Sequence, residues 1–117
     1  MRLLSKTLDE SKLDQQYIQI DTSLPVYITM STIPSRLQNT FRIIKHFLNH
    51  VQGIEKIILN IPWSYRRWPN FKIDVSNHGI DDQRFLLNRT NDYGPLTKFL
   101  PSLSIIPDNS ITIICDD

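Results

Sequence analysis

The sequence predicts an α/β fold built on a mostly parallel sheet. Three observations point there. Short apolar runs rich in β-branched residues recur along the chain, as in Val26–Met30, Lys56–Ile61 and Ile111–Ile114. Two of these runs are nearly continuous in hydrophobicity, the pattern of strands covered on both faces. Between the first and second runs, Leu37, Phe41, Ile44, Leu48 and Val51 keep a 3.6-residue period, which makes an amphipathic helix facing the sheet.

Taken in order, residues 1–21 are polar and mixed in charge with scattered leucines, and read as an N-terminal extension. That stretch either forms a short helix or stays unattached. The domain proper spans 22–117, where Val26–Met30 after Pro25 is the first core strand. It ends in the polar turn Ser31-Thr32-Ile33-Pro34-Ser35-Arg36. Ser35 with Gln38 three residues on has capping-box spacing, so the helix is expected to start there and to stop at Gly53. Lys56–Ile61 is the second strand, closed by Pro62. A strand, helix and strand with short connections form a βαβ unit, right-handed almost without exception.

From Pro62 to about Gln83 no period holds, and a long surface loop is expected, of the kind that is functional or mobile. Its tryptophans are expected to pack against the sheet edge. Phe85–Asn88 is the third strand, followed by the turn Asn91-Asp92-Tyr93-Gly94-Pro95. Pro95 suits a first helical position, and Leu96, Phe99, Leu100 and Leu103 carry a second helix that Pro101 kinks or shortens. Pro107-Asp108-Asn109 then turns the chain into a terminal strand ending in Cys115-Asp116-Asp117. The order is β-α-β-loop-β-α-β, a Rossmann-like arrangement, with no internal repeat.

Composition narrows the function classes. At 117 residues the chain is one domain at most, and 40% hydrophobic with 21% charged residues is ordinary for a globular protein. A net charge of +1 gives no bulk argument for nucleic acid or an acidic membrane. The single cysteine, Cys115, has no partner for a disulfide or zinc site and reads as a buried structural thiol. No run is long and apolar enough to span a membrane, and the N-terminus lacks an apolar secretory core, so a cytoplasmic location is expected. Asn88-Arg89-Thr90 fits a glycosylation sequon only by coincidence on that reading.

Three polar segments follow strands: 31–36, 91–98 and 116–117. In a parallel sheet, strand carboxyl ends share one edge, where α/β folds bind ligands, so all three are expected to converge. Asp116 and Asp117 there suit a hard divalent cation and, through it, a phosphate-bearing ligand. A merely solvated acidic end is the plain alternative. Lys98 is either a diphosphate contact or an exposed lysine. Asp92 either touches ligand or caps the following helix, the cap being the commoner role. Arg36 stands in a first helical turn, where a cation opposes the helix dipole, which favours a ligand or carboxylate partner. His46 and His50 have the i, i+4 spacing of a metal pair but lack the accompanying glutamate, and are expected to be exposed. Trp63-Ser64-Tyr65-Arg66-Arg67-Trp68 mixes aromatic and basic residues, yet the near-neutral chain argues against nucleic acid.

These segments together resemble the GT-A glycosyltransferases, in the N-terminal, nucleotide-sugar-binding half of that fold, over about residues 25–117. Thr32-Ile33-Pro34-Ser35-Arg36 resembles the T-x-P-x-R type turn, and Ile57-Leu59-Asn60-Ile61-Pro62 the second strand. Asn88-Arg89 with Asp92-Tyr93-Gly94-Pro95 and Thr97-Lys98 looks like a further signature, and Cys115-Asp116-Asp117 the opening of the metal-binding D-x-D segment. The resemblance implies that Thr32, Pro34 and Arg36 line the nucleotide pocket, with Asp92 and Lys98 near the donor. It implies that Asp116 and Asp117 face the ribose and an Mn²⁺ or Mg²⁺ ion. The third D-x-D position and the acceptor-binding half are expected to be missing. An incomplete domain with little or no transferase activity alone follows, one that a second chain or domain would complete. A non-catalytic nucleotide-binding module and a nonfunctional gene remnant are the alternatives.

Overall fold

The structure, a computed structural model, describes residues 2–5 and 23–116, so Asp117 and most of the N-terminal stretch lie outside it. Five strands make one sheet: β1 Arg2–Ser5, β2 Val26–Ser31, β3 Ile54–Pro62, β4 Phe85–Thr90 and β5 Ile111–Cys115. Their spatial order is β1-β5-β2-β3-β4, and every neighbouring pair is parallel. The architecture is α/β and Rossmann-like, with four strands where the sequence places them. The fifth, β1, pairs Arg2 through Ser5 with Ile111 through Ile114, so this part of the expected extension belongs to the sheet.

The strands form where they do because both faces are covered. In β3, Ile57, Ile58, Leu59, Asn60 and Ile61 are all buried. At about 1.5–3 kcal/mol for each large aliphatic side chain taken from water, burial outweighs any local propensity there. Alternate residues serve opposite faces. On one face, Ile28, Met30, Ile57, Leu59, Ile61 and Cys115 meet the helix α1, Leu37–His50, through Leu37, Phe41, Ile44 and Leu48. On the other, Tyr27 and Ile58 pack on Ile106.

The expected capping box does not form. Pro34–Arg36 is a 3-10 turn that feeds straight into α1, and no side chain caps the helix start. Pro34 explains this, because its fixed φ preorganises a tight turn one residue before Ser35 would act as cap. Val51 is the C-cap and is 38% exposed, outside the buried stripe that the sequence period had extended to it. Gly53 adopts φ +87°, a left-handed conformation that turns the chain from α1 into β3. Arg84, unmarked by any sequence pattern, donates its guanidinium to the carbonyls of Leu48 and Val51 and is gripped by Asp82. It closes the negative end of α1 with a cation.

Two further expectations change. The stretch from Leu96 to Leu103 is not a kinked α-helix but two 3-10 turns, Gly94–Lys98 and Leu100–Ser102. Phe99, at φ −132° and ψ −48°, breaks them apart, and Pro101 supplies no N–H for a continuing helix. The long loop after β3 is partly a lid on the core: Ile73, Val75 and Ile80 pack on the α1 cluster. His78 in that loop sits between Phe41 and Phe85, with ring centroids 5.6 and 5.3 Å away.

The second face is held by polar contacts where a helix would usually lie. Thr29 Oγ1 donates to the carbonyl of Lys98 at 2.6 Å and lies 2.7 Å from Ser102 Oγ. Asn60 Nδ2 donates to Ser102 Oγ at 2.9 Å, and its Oδ1 accepts from Asn88 Nδ2 at 2.9 Å. Thr29, Asn60 and Ser102 are all fully buried. The Asn60→Leu variant keeps similar bulk but strands these partners. It should lower unfolding free energy by about 1–3 kcal/mol, the cost of buried polar groups left unpaired. Urea denaturation followed by far-UV circular dichroism measures it, and an unchanged midpoint would contradict the assignment.

Candidate functional site

Because every strand is parallel, the ends of β2, β3, β4 and β5 open onto one edge of the sheet. The turns 31–36 and 91–98 and residue Asp116 follow three of those ends, and they do meet. Met30 pairs with Cys115, which brings Asp116 level with the start of the first turn. Lys98 Nζ lies 2.8 Å from Asp116 Oδ1 and ties the second turn to the tip of β5.

The expected site residues fall into two groups along this edge. The first surrounds a cleft of about 250 Å³. One wall is Ser31, Thr32 and Ile33; the opposite wall is Asp92, Pro95 and Thr97. Tyr65, Arg67 and Trp68 from the long loop close a third side. Thr32 is buried, and its hydroxyl lies 2.8 Å from Thr40 Oγ1 on α1. Its carbonyl accepts the Tyr65 hydroxyl at 2.8 Å. Thr32 therefore shapes the cleft while its side chain and carbonyl already hold internal partners.

Asp92 is a brace. Its two oxygens accept the main-chain N–H groups of Arg66 and Gly94 at 2.9 and 2.8 Å, joining the aromatic loop to the turn after β4. It is not the N-cap expected of it: the 3-10 turn Gly94–Lys98 has Tyr93 at that position with no side-chain cap bond, and the Gly94 N–H bond to Asp92 closes a local turn just ahead of it. Gly94 itself takes φ +62°, which an asparagine or glycine tolerates and bulkier residues resist. The Arg66 N–H is the main cause that holds the Asp92 carboxyl below the usual carboxylate range; burial opposes it, and the Gly94 N–H and the Arg66 charge add smaller effects in the same downward direction.

Lys98 and Asp116 make the second group, on the β5 side. Their side chains are 35% and 60% exposed, so the pair is a surface ion pair, worth about 0–1 kcal/mol to stability. Lys98 is thus not a free surface lysine. The carbonyl of Lys98 is anchored in the buried Thr29 network while its ammonium reaches out to the rim.

Pro34 and Arg36 lie beyond Ile33 in the 3-10 turn; Pro34 is half-buried, and Arg36 is exposed and donates its N–H to the Ile33 carbonyl at 3.0 Å. Neither lines the cleft, which is walled by Ser31, Thr32 and Ile33. Asp117 falls outside the described residues. Among the described residues, no three His, Cys, Asp or Glu side chains gather as a metal cage. His46 and His50 stack at 4.1 Å, and His50 Nδ1 lies 2.8 Å from the His46 carbonyl, so one nitrogen of the pair already has a partner.

Sequence reasoning missed the aromatic wall. Trp68 meets Tyr65 edge-on at 5.9 Å and is half-buried, as expected of a packed loop. Trp63 is instead 65% exposed, with the Arg89 guanidinium 4.6 Å from its ring centroid. The signal is present in the alternation of aromatic and basic residues from 63 to 68, which fits a cleft wall as well as a packed loop. A second hollow, about 140 Å³ and mostly apolar, lies between α1 and β5 with Asp116 at its mouth.

Comparison with known proteins gives little to place beside this geometry. No protein-family model and no solved structure matches the chain. Over 119 aligned residues it is 28% identical to the cell division protein FtsP of Histophilus somni, covering 95% of this chain. The chain spans 25% of that protein's length.

The Asp92 brace sets a pH dependence. A carboxyl with a depressed folded-state pKa adds stability above its unfolded value of about 3.9, and loses it as pH falls through the lower folded value. The Arg66 and Gly94 amides should stay slow in hydrogen exchange down through the ordinary carboxylate range, then open in stronger acid. Asp92→Ala should expose both amides at neutral pH. Equal exchange in the variant and the parent chain would refute the brace.

Proposed function

We propose that this chain binds a nucleotide-sugar donor, with a divalent metal ion, along the carboxyl edge of its sheet, as the donor half of a GT-A glycosyltransferase does. The observation that carries this reading is the meeting of three polar segments on one edge, with Lys98 in contact with Asp116. In α/β sheets that edge is where nucleotide ligands lodge. A cleft of about 250 Å³ is somewhat smaller than usual ligand pockets and suits a nucleobase more than a whole sugar nucleotide. Trp68 offers an aromatic surface there, and the diphosphate would extend toward Lys98 and Asp116.

Among the described residues, Asp116 is the carboxylate that would hold the ion. Asp116 offers hard carboxylate oxygens on an exposed rim, and a cation, the Lys98 ammonium, already rests against one of them. Mg²⁺ and Mn²⁺ use one or two protein carboxylates when a ligand's phosphates fill the remaining positions. When bound, such an ion stabilises the charge that gathers on a departing nucleoside diphosphate. Lys98 adds a point charge to the same oxygens, and Asp92 keeps the cleft walls at a fixed separation.

Thermal unfolding of the chain with UDP, GDP, CDP and ADP, each with Mn²⁺ and with EDTA, tests the reading. At least one nucleotide with Mn²⁺ should stabilise by about 2.7 kcal/mol at a hundredfold excess over its dissociation constant. With Trp63→Phe removing the exposed indole, the remaining Trp68 fluorescence should respond to the same nucleotide. No shift with any of the four, in either condition, overturns the proposal.

A further inference from the structure

The order of the strands constrains the connection from β1 to β2, residues 6–25, of which 6–22 lie outside the described residues. All neighbouring strands are parallel in the order β1-β5-β2-β3-β4. The connections from β2 to β3 and from β3 to β4 step the same way across the sheet. Both lie on one face, where α1 packs together with Ile73, Val75 and Ile80. The connection from β4 to β5 steps back the other way and lies on the opposite face, where Ile106 packs on Tyr27 and Ile58. All three thus share one hand, as parallel crossovers do almost without exception. A step from β1 to β2 has the direction of β2 to β3. The same hand carries it across the α1 face, over β5.

That flank of α1 is where the apolar face lacks cover among the described residues. The hollow of about 140 Å³ lies there, lined by Ile28, Met30, Ile43, Phe47 and Cys115. Ile43 and Phe47 on α1 and Ile113 on β5 are only half-buried. Packed helices lie about 8–10 Å apart, or two strand spacings, so a neighbour of α1 on this flank would rest over β5. The connecting sequence suits that place. Thr7 and Glu10 have capping-box spacing, and Asp9 and Glu10 suit the positive end of a helix. Leu13, Tyr17 and Ile20 follow at i, i+4 and i+7, one apolar stripe. A helix over 8–20 would be ~20 Å long, enough to run back along a five-residue strand.

We propose that residues 8–20 form an amphipathic helix that docks Leu13, Tyr17 and Ile20 into the apolar hollow between α1 and β5. The hollow is then core, the seat of the chain's own crossover, and takes no ligand. This reading stands apart from donor binding and survives its failure.

Nuclear Overhauser spectra of the full chain, labelled at isoleucine and leucine methyls and aromatic rings, test it. Cross-peaks should join Tyr17 and Ile20 to Ile43 and Phe47. Cross-peaks from them to Leu86 or Ile106 on the other face, or none to α1, overturn the proposal. In a mixture of differently labelled chains, cross-peaks found only between chains would seat a second copy in the hollow and overturn it equally. Tyr17→Glu should lower the urea midpoint and raise binding of a dye that reports exposed apolar surface. Gln15→Glu, on the opposite side of the same helix, should leave both as in the parent. Equal effects of the two substitutions, or none from Tyr17→Glu, count against the docking. Should Tyr17→Glu fail to fold, the parent's cross-peaks still decide.

Discussion

Asn60 lies in a strand whose neighbours are isoleucine and leucine, and it is fully buried. Such a group is tolerated only when its hydrogen bonds are made, and here Thr29, Ser102 and Asn88 make them. The constraint reaches further than local stability. A one-residue slip of β3 against β2 would turn Asn60 toward the aliphatic face that packs on α1, with no partner. The polar cluster therefore fixes strand register, and register decides which residues emerge on the carboxyl edge. Through the Thr29 bond to the Lys98 carbonyl, the same cluster also sets where the 94–98 turn rests on the sheet. The edge chemistry is assembled by a polar device in the sheet's interior.

Elements carried by burial were legible in the sequence. Runs such as Ile57–Ile61 and Ile111–Ile114, with the 37–48 stripe, announce their packing through side-chain type alone. Elements decided by main-chain detail were not. Ser35 and Gln38 have capping spacing, but Pro34 takes the chain into a 3-10 turn first. Leu96, Phe99, Leu100 and Leu103 carry a helical period, yet Pro101 and the Phe99 backbone divide the stretch. Arg2–Ser5 is a strand because β5 presents a free edge to it, information that lies 109 positions away in sequence (111 against 2).

The candidate site was half legible for a related reason. That strand ends gather on one edge is a property of topology, so the approach of Lys98 to Asp116 could be anticipated from the order of elements. The allocation of individual side chains could not. Thr32 looked like a ligand contact, and its hydroxyl is spent on Thr40. Asp92 looked like a cap, and it instead fastens the aromatic loop through Arg66 while Tyr93 takes the cap position. The partners responsible, Thr40 and Arg66, lie on other elements. Thr29 and Asn60, polar residues amid apolar strands, were visible anomalies from which a buried network can be read.

The strand order carries a consequence for synthesis. β5 comes last in sequence but lies between β1 and β2, so one flank of β2 waits bare until residues 111–115 leave the ribosome. Parallel pairing over such separations forms slowly, and a waiting strand flank invites association with other chains. The nascent molecule thus passes through a stage in which β2, α1 and β3 are ready while the slot beside them stands open. How quickly β5 slides into that slot sets how long the flank of β2 stays open to other chains.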